Sequence, residues 1–566
     1  MKQLLSLLQR FGFIIGLVLC VPVLFGYFQP HFFHLHDFTH VARLAELERG
    51  IHDGQLPVRW SQNLGYGYGM PQFSFYGPLF YYEAYLFRLT GLSYVWAIKC
   101  AAILQVVVSF VAFYWLGNSL WGKPAGFLVS LAGIYSPYRL VDMYVRGAFA
   151  ELSGMTMVLL TFCAIYYWAQ KPTWRRTAYI SLAGAGIILS HTLMAIISAL
   201  FVVIWLGYWI VKRSLFTKWS HVLVVGLLVM GLSAWFALPA FFEKGLTQAD
   251  QLTQGFSNYN YHFLYIRQFW HSVWEYGGSV WGIEDDISFE LGKVQILVVA
   301  LVFCFICWAF WKRRRPTSMS TMVVLYVLIG ISLFLSVLKS KPLWDAMPLL
   351  AFIQFPWRFL SVASLFIPIL CGAIVLGLPK KISYFVVVVG GLLCLSTQLG
   401  HLHPESYLTD DDALYYSDPA SIQTKMSDII PDFLPKTASV AGLIYPITAS
   451  DRFTSSPTIK ATIEVARSNS FLLNLPSHEA TQLTISIFDF PGWKLYLNGT
   501  EVPHEKTLNG LITLPLSKTL DTSYVSGIFA ETRIRLLADI ASLIALIGTF
   551  TLLYLPSDTK KEQHES

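Results

Sequence analysis

The chain has 566 residues, of which 55% are hydrophobic and 13% charged, with a formal net charge of +6. Apolar runs of about 18 residues or more recur along most of its length, and each can cross a roughly 30 Å hydrocarbon layer, which excludes a soluble globular chain. The small positive excess lies in Lys and Arg clusters between those runs, which excludes a nucleic-acid-binding surface.

In chain order, the first apolar run is Phe11–Phe28. It has no small-x-small cleavage site and leads directly into a charged knot, so it reads as a retained anchor rather than a cleaved signal. Further spans are predicted at Tyr94–Gly117, Pro124–Leu140, Leu152–Ala169, Thr177–Ser190, His191–Val211 and Ser220–Phe241. The remainder are Val294–Trp311, Thr321–Leu338, Trp357–Gly377, Ile382–Thr397 and Ile534–Tyr554, about twelve in all. The expected class is a polytopic α-helical membrane protein carrying a β-sandwich before its last helix.

The basic residues test this order. Lys2 and Arg10, Lys171/Arg175/Arg176, Lys212/Arg213/Lys218, Lys312–Arg315, Lys380/Lys381 and Lys560/Lys561 all fall on one side, which is taken as cytoplasmic. That parity requires 177–211 to cross twice, with a tight turn at Ser190-His191-Thr192. It also requires Phe73–Leu89, with Pro78, Glu83 and Arg88, to dip against protein or a wet cavity without crossing. Both termini are then cytoplasmic and the large loops face outward, as in the plasma membrane of a bacterium.

Residues 1–400 form the multi-span part, with a first outer loop over 29–93 and a middle one over 243–293. Residues 401–533 turn polar and alternate, as in Thr458–Val465 and Leu483–Phe488. Asn498-Gly499 after Trp493–Leu497 is a strong hairpin signal, so a β-rich outer domain is expected there. A final helix over 534–555 and a tail over 556–566 complete the chain. All seven Cys lie in apolar segments, so no disulfide or zinc site is expected.

Chemistry concentrates after the first span, in His34-Leu35-His36-Asp37-Phe38-Thr39-His40. A carboxylate at the membrane–water boundary can deprotonate a hydroxyl, and partial desolvation would raise its basicity. Asp37 equally fits the N-cap of a helix running through Phe38–Leu47. His31, His34, His36 and His40 read either as a divalent-metal set or as a hydrogen-bonding cluster around Asp37; no metal and no cofactor is assigned.

Arg59, Arg139, Arg146, Arg267 and Arg358 are candidates to bind a leaving phosphate bidentately. Arg146 with Glu151 also reads as an intramembrane ion pair, and Arg358 as a snorkelling anchor. His191 sits at the tight turn. Gly65-Tyr66-Gly67-Tyr68-Gly69 lacks the GK[ST] of a phosphate loop. With Tyr76, Tyr81 and Tyr82 it reads as a sugar-cleft lining or as a headgroup contact. Trp270, Trp274, Tyr276, Glu284, Asp285 and Asp286 give the middle loop a similar mixture of rings and carboxylates.

Several motifs resemble one family as a set. Asp37–His40, Leu56–Trp60, Gly67–Phe73, Phe75–Leu79, Arg146–Ala148 with Glu151, and Phe355–Phe359 resemble the bacterial membrane family described as 6-pyruvoyl-tetrahydropterin synthase-related. Phe490–Lys494 followed by Asn498-Gly499 resembles the outer domain of that family and of the YfhO-like proteins. The pterin label is not an activity here, since no soluble domain holds a zinc-binding His set. The resemblance implies membership of the GT-C superfamily, multi-span glycosyltransferases that use polyprenyl-phosphate sugars and keep an acidic residue in the first outer loop. By position that residue is Asp37. The two-acid pair of some GT-C members is absent beside it, which counts against a metal-dependent version.

The expected activity is therefore transfer of a sugar from a polyprenyl-phosphate carrier to an envelope glycan, lipid or protein acceptor. Asp37 would be the base and Arg146 and Arg358 the phosphate binders. Arg59 and the first-loop aromatics, Trp60 and Tyr76 among them, would shape the acceptor cleft, with His40, Glu151 and His191 completing the binding set. Asp37, Arg146 and Arg358 should then converge on one outward cavity. The alternatives are a lipid-linked glycan flippase, which needs no base, and a non-catalytic envelope-assembly protein.

Overall fold

A computed structural model describes residues 13–313, 316–409, 416–429, 431, 433–448, 450–479 and 481–555. Among the described residues, nine helices are long and apolar enough to cross a membrane. We number the main helices α1 (His40–His52), α2 (Leu79–Arg88), α3 (Tyr94–Trp121), α4 (Lys123–Ile134), α5 (Phe149–Gln170), α6 (Trp174–Ser190) and α7 (Thr192–Lys212). They continue as α8 (Trp219–Phe242), α9 (Lys293–Trp311), α10 (Met319–Ser336), α11 (Leu360–Cys371), α12 (Lys380–Gln398) and α13 (Arg533–Tyr554). The nine candidate spans are α3, α5 and α7–α13, with α8, α11 and α12 extended by short 3₁₀ turns.

Three expected spans differ, each for a local reason. The first lies partly outside the described residues; helix covers 13–18, and Pro22 sits in the 3₁₀ segment Val21–Phe28 that follows. The second, expected as continuous over Pro124–Leu140, is broken. Helix α4 stops at Ile134, a short turn covers Pro137–Val141, and Asp142–Arg146 widens into a π-turn. Pro137 supplies no N–H and disfavours helical geometry at Ser136, which ends the helix. The third, α6, has only 17 residues. In the segment Phe73–Leu89 the α-helix is the ten-residue α2, about 15 Å long and half of an apolar layer.

Helices α6 and α7 are joined by His191 alone, whose Nδ1 accepts from the Met194 N–H at 3.2 Å and caps α7. In the stretch Pro356–Val375, 89% of an 18-residue window is buried and forms the centre of the bundle, whereas the α13 window, at 17%, lies on its outside.

Nine strands follow between Phe453 and Phe529. They form two antiparallel sheets, ordered β1-β4-β8-β7 and β2-β3-β9-β5-β6. Their strands are β1 (Phe453–Ser456), β2 (Thr462–Arg467), β3 (Ser470–Leu475), β4 (Thr481–Phe488) and β5 (Trp493–Leu497), then β6 (Thr500–Val502), β7 (Glu505–Lys506), β8 (Leu511–Leu516) and β9 (Ser523–Phe529). Leu473, Leu475, Ile485, Leu495, Ile512 and Val525 interleave between the sheets. Asn498 and Gly499 both take positive φ, 50° and 83°, as the two-residue β5–β6 turn requires.

The first loop does not stop at the bundle. Trp60, 1% exposed, enters the sandwich core and packs on Trp493 at 5.6 Å and Phe529 at 5.0 Å. Arg59 bridges Glu531 at 2.8 Å and Asp539 at 2.7 Å, and Arg535 Nε donates to Glu243 Oε2 at 2.9 Å. These pairs tie the loop, α8 and the start of α13 together beneath the sandwich. Trp60→Ala is expected to cost about 4 kcal/mol, because the surrounding rings collapse only partly into the space. A fall in the thermal midpoint of the purified chain, absent for the exposed Leu508→Ala, checks this.

Candidate functional site

The segment 34–37 lies against the π-turn. The His36 N–H donates to the Val145 carbonyl and the Asp37 N–H to the Arg146 carbonyl, each at 3.0 Å. Gly147 makes this approach possible. Its φ is +65°, and a Cβ there would meet Leu35 Cδ1 at 2.8 Å.

Asp37 does not cap the helix. Helix α1 begins at His40 after Thr39, and the Thr39 hydroxyl donates to Asp37 Oδ1 at 2.6 Å. The carboxylate instead faces Arg43, whose Nη1 donates to Oδ1 at 2.9 Å and to Oδ2 at 2.8 Å. Tyr76 Oη donates to Oδ2 at 3.3 Å, and its ring lies 4.0 Å under the Arg43 guanidinium. Burial alone would raise the Asp37 pKa; the Arg43 charge, with His40 and the Thr39 hydroxyl, outweighs it and holds the group well below the usual carboxylate range.

His40 is fully buried between Tyr81 and the π-turn. Its Nε2 donates to the Gly147 carbonyl at 2.6 Å, which leaves Nδ1 to accept from Tyr81 Oη at 2.8 Å. Burial pushes its pKa down to about 4, against the pull of Asp37, so the ring is neutral at pH 7.

A second charged group adjoins the first. Arg146 pairs with Asp142 through Nη1 and donates from Nη2 to Glu151 Oε2 at 2.7 Å. Tyr138 Oη donates to Glu151 Oε1 at 2.5 Å. Arg358 Nε stands 4.0 Å from Glu151 Oε2, while its Nη1 donates to the Ile353 carbonyl at 2.9 Å and Gln354 Oε1 at 2.7 Å. That Nε is buried without a hydrogen-bond partner among the described residues. Trp357 lies 4.6 Å under the Arg146 guanidinium. His191, at the α6–α7 turn, interacts electrostatically with Glu151, Arg358, Arg146 and Asp37. Deeper in, Arg139 donates to Ser109 Oγ at 2.9 Å, and its Nη1 and Asp142 Oδ2 have no partner among the described residues.

Of the residues expected at the site, Asp37, His40, Tyr76, Arg146, Glu151, His191 and Arg358 thus share one region. Arg59 and Trp60 do not. Both are spent in the junction with the sandwich, so the expected acceptor-cleft role does not fit their placement. The Gly65–Gly69 stretch also packs under the sandwich, where Tyr68 Oη donates to the Ile444 carbonyl at 2.8 Å. Arg267 is exposed in the middle loop. His36 Nε2 donates to the Tyr276 carbonyl at 2.9 Å, so that loop borders the site. Among the described residues, no group of three or more His, Cys, Asp or Glu is disposed to hold a metal ion.

Sequence reasoning missed Arg43, Asp142 and Tyr138. Asp142 and Arg146 carry opposite charges four residues apart, a helical-pair signal that would have flagged them. Arg43 lies one turn into α1 from His40, on the face that turns back towards Asp37, and only the loop geometry reveals it.

These features define a many-helix membrane protein with a paired charge cluster at the end of the bundle beneath a β-sandwich. No family model matches the sequence. An uncharacterized protein of Lactococcus lactis subsp. cremoris (strain MG1363) is 23% identical over 337 residues. The match covers 57% of this chain and 54% of that protein, so the chain spans about half the length of the curated relative it matches. Among solved structures, the Archaeoglobus fulgidus oligosaccharyltransferase in the apo form aligns with a TM-score of 0.43 and 12% identity, over 71% of this chain and 57% of that one.

Two outcomes follow from the pairing. Arg43→Leu leaves the Asp37 carboxylate without its cation and is expected to cost about 3 kcal/mol, read as a lowered denaturation midpoint. Because the folded-state pKa of His40 lies below its ordinary 6.5, its contribution is full above pH 6.5 and is lost as pH falls towards 4. In His40→Gln the stability difference between pH 7 and pH 4 should shrink by about 3 kcal/mol, measured as the acid limb of detergent-solubilised denaturation curves.

Proposed function

We propose that the chain is an integral-membrane glycosyltransferase that moves a sugar from a polyprenyl-phosphate carrier to a cell-envelope acceptor outside a bacterial plasma membrane. One observation carries the reading. Six ionisable side chains gather at the site, and the three that reach its surface are Asp37, Arg146 and Arg358, with side-chain exposures of 27, 10 and 12%. Arg43, Asp142 and Glu151, at 3, 0 and 1%, are sealed behind them. In this reading a carboxylate and two guanidiniums serve the same ligand.

In this mechanism the acceptor hydroxyl hydrogen-bonds to Asp37 Oδ2, whose contact with Tyr76 is the longest of its bonds. The acceptor oxygen bonds to the anomeric carbon as the bond from that carbon to the carrier phosphate oxygen breaks. The hydroxyl proton passes to Asp37, and the phosphate leaves towards Arg358 and Arg146. With its pKa held low by Arg43, Asp37 stays ionised and takes the proton late, when the acceptor oxygen has already become acidic. Glu151 and Tyr138 fix Arg146, and Arg43 fixes Asp37, so neither must reorganise during the step.

The paired state of Asp37 also favours a second reading, a lipid-linked glycan carrier in which the pair is architectural. A transfer assay in membranes with polyprenyl-phosphate glucose as donor decides between them. Asp37→Asn should lower turnover at least about 100-fold while donor retention stays unchanged, and Arg358→Gln should weaken retention about tenfold. Turnover that survives Asp37→Asn in folded protein defeats the transferase reading, and retention unaltered by Arg358→Gln defeats the phosphate assignment.

A further inference from the structure

A cavity lies away from the charge cluster. It has a volume of about 1340 Å³ and opens along the side of the bundle between α5, α6, α8 and α13. One entire face of α6 lines it, from Arg176 through Tyr179, Ala183 and Gly186 to Leu189. Those 13 residue steps span about 20 Å, so the groove runs well past the middle of a roughly 30 Å layer. Between its ends, residues such as Leu160 of α5 and Leu543 of α13 make its walls mainly apolar.

Its two ends differ in charge. Near the sandwich the groove meets the Asp539 carboxylate and Tyr82. At the other end it meets Arg176, with Tyr167 and Tyr179. Arg175 Nε donates to Tyr179 Oη at 3.0 Å, and Arg176 donates from Nη1 to the Tyr167 carbonyl. Among the described residues, neither Arg175 nor Arg176 has a carboxylate partner. The same end of the bundle carries Arg213, bonded to Gln170, and Lys212, whose Nζ lies 2.7 Å from Thr321 Oγ1. Among the described residues these cations have no carboxylate partner, and they stand beside phenols that can donate to phosphate oxygens.

The geometry points to a binding site for an anionic glycerophospholipid, its acyl chains in the groove and its phosphate held by Arg175 and Arg176. The charge order favours the Arg176 end for the headgroup: at the other end Asp539 and Arg59 already satisfy each other, whereas Arg175 and Arg176 have no carboxylate partner among the described residues. It also separates this lipid from the donor. A carrier whose phosphate reaches Arg146 and Arg358 cannot place that same phosphate about 20 Å away along α6. Basic residues near a membrane surface retain anionic lipid in this way, and the apolar groove adds the chain contacts that a surface patch lacks.

Native mass spectrometry of the full chain in detergent tests this, with dioleoylphosphatidylglycerol, dioleoylphosphatidylcholine and undecaprenyl phosphate as probes. Phosphatidylglycerol should bind about tenfold more tightly than phosphatidylcholine. Arg175→Gln with Arg176→Gln should abolish that preference, and Lys380→Gln with Lys381→Gln, on another basic cluster, should leave it intact. Ala183→Phe, which fills the groove, should weaken both phospholipids. The inference is overturned by equal binding of the two phospholipids, by a preference that survives the arginine changes, or by full binding to Ala183→Phe. Displacement of phosphatidylglycerol by equimolar undecaprenyl phosphate would also overturn it, making the groove a carrier site.

Discussion

The structure turns on the cost of burying charge. Six ionisable side chains converge where the first loop meets the π-turn, and each is held by an opposite partner or a hydrogen-bonding phenol. A lone carboxylate or guanidinium at that depth would cost several kcal/mol. The Asp37–Arg43 pair and the Arg146 triangle with Asp142 and Glu151 are locked to one another by two backbone hydrogen bonds, from His36 and Asp37 to Val145 and Arg146. The first loop and the broken helix therefore form one rigid unit, although more than 100 residues separate them.

That unit depends on a helix that fails to continue. Had Pro124–Leu140 run on as one α-helix, every carbonyl in its interior would be taken by the N–H four residues on. The stop at Ile134 and the π-turn at Asp142–Arg146 free the 145–147 carbonyls to receive the Asp37 segment and His40. Irregular backbone of this kind is tolerated at membrane depth because protein surrounds it. π-turns of this type are frequent where function needs side chains re-aimed.

The sandwich is part of the same construction. Trp60 in its core and Arg59 in its salt bridges pull the first loop tight, and the loop carries Tyr76, Tyr81 and Asp37. Residues read in sequence as cleft-forming thus serve to hold the floor on which the charged residues stand. At the far end, Arg175 and Arg176 have no such neutralising partners among the described residues, and the two ends of the bundle are electrostatically unlike.

Local pattern was legible in the chain and long-range pairing was not. Nine of the expected spans, the alternating strands and the Asn498-Gly499 turn follow from periodicities that a window of about 20 residues contains. Asp37, Arg146 and Arg358 stood out because charge beside apolar sequence is costly and therefore conspicuous. Their partners were hidden, since His40 meets Gly147 across 107 positions and Arg59 meets Asp539 across 480. The sequence alone determined where the chain is apolar, where it alternates and which polar groups sit beside a membrane-length run, because burial energy is summed locally. Only the tertiary structure decided which charges neutralise one another and which remain open to a ligand, because that depends on distances between segments that the order of residues does not encode.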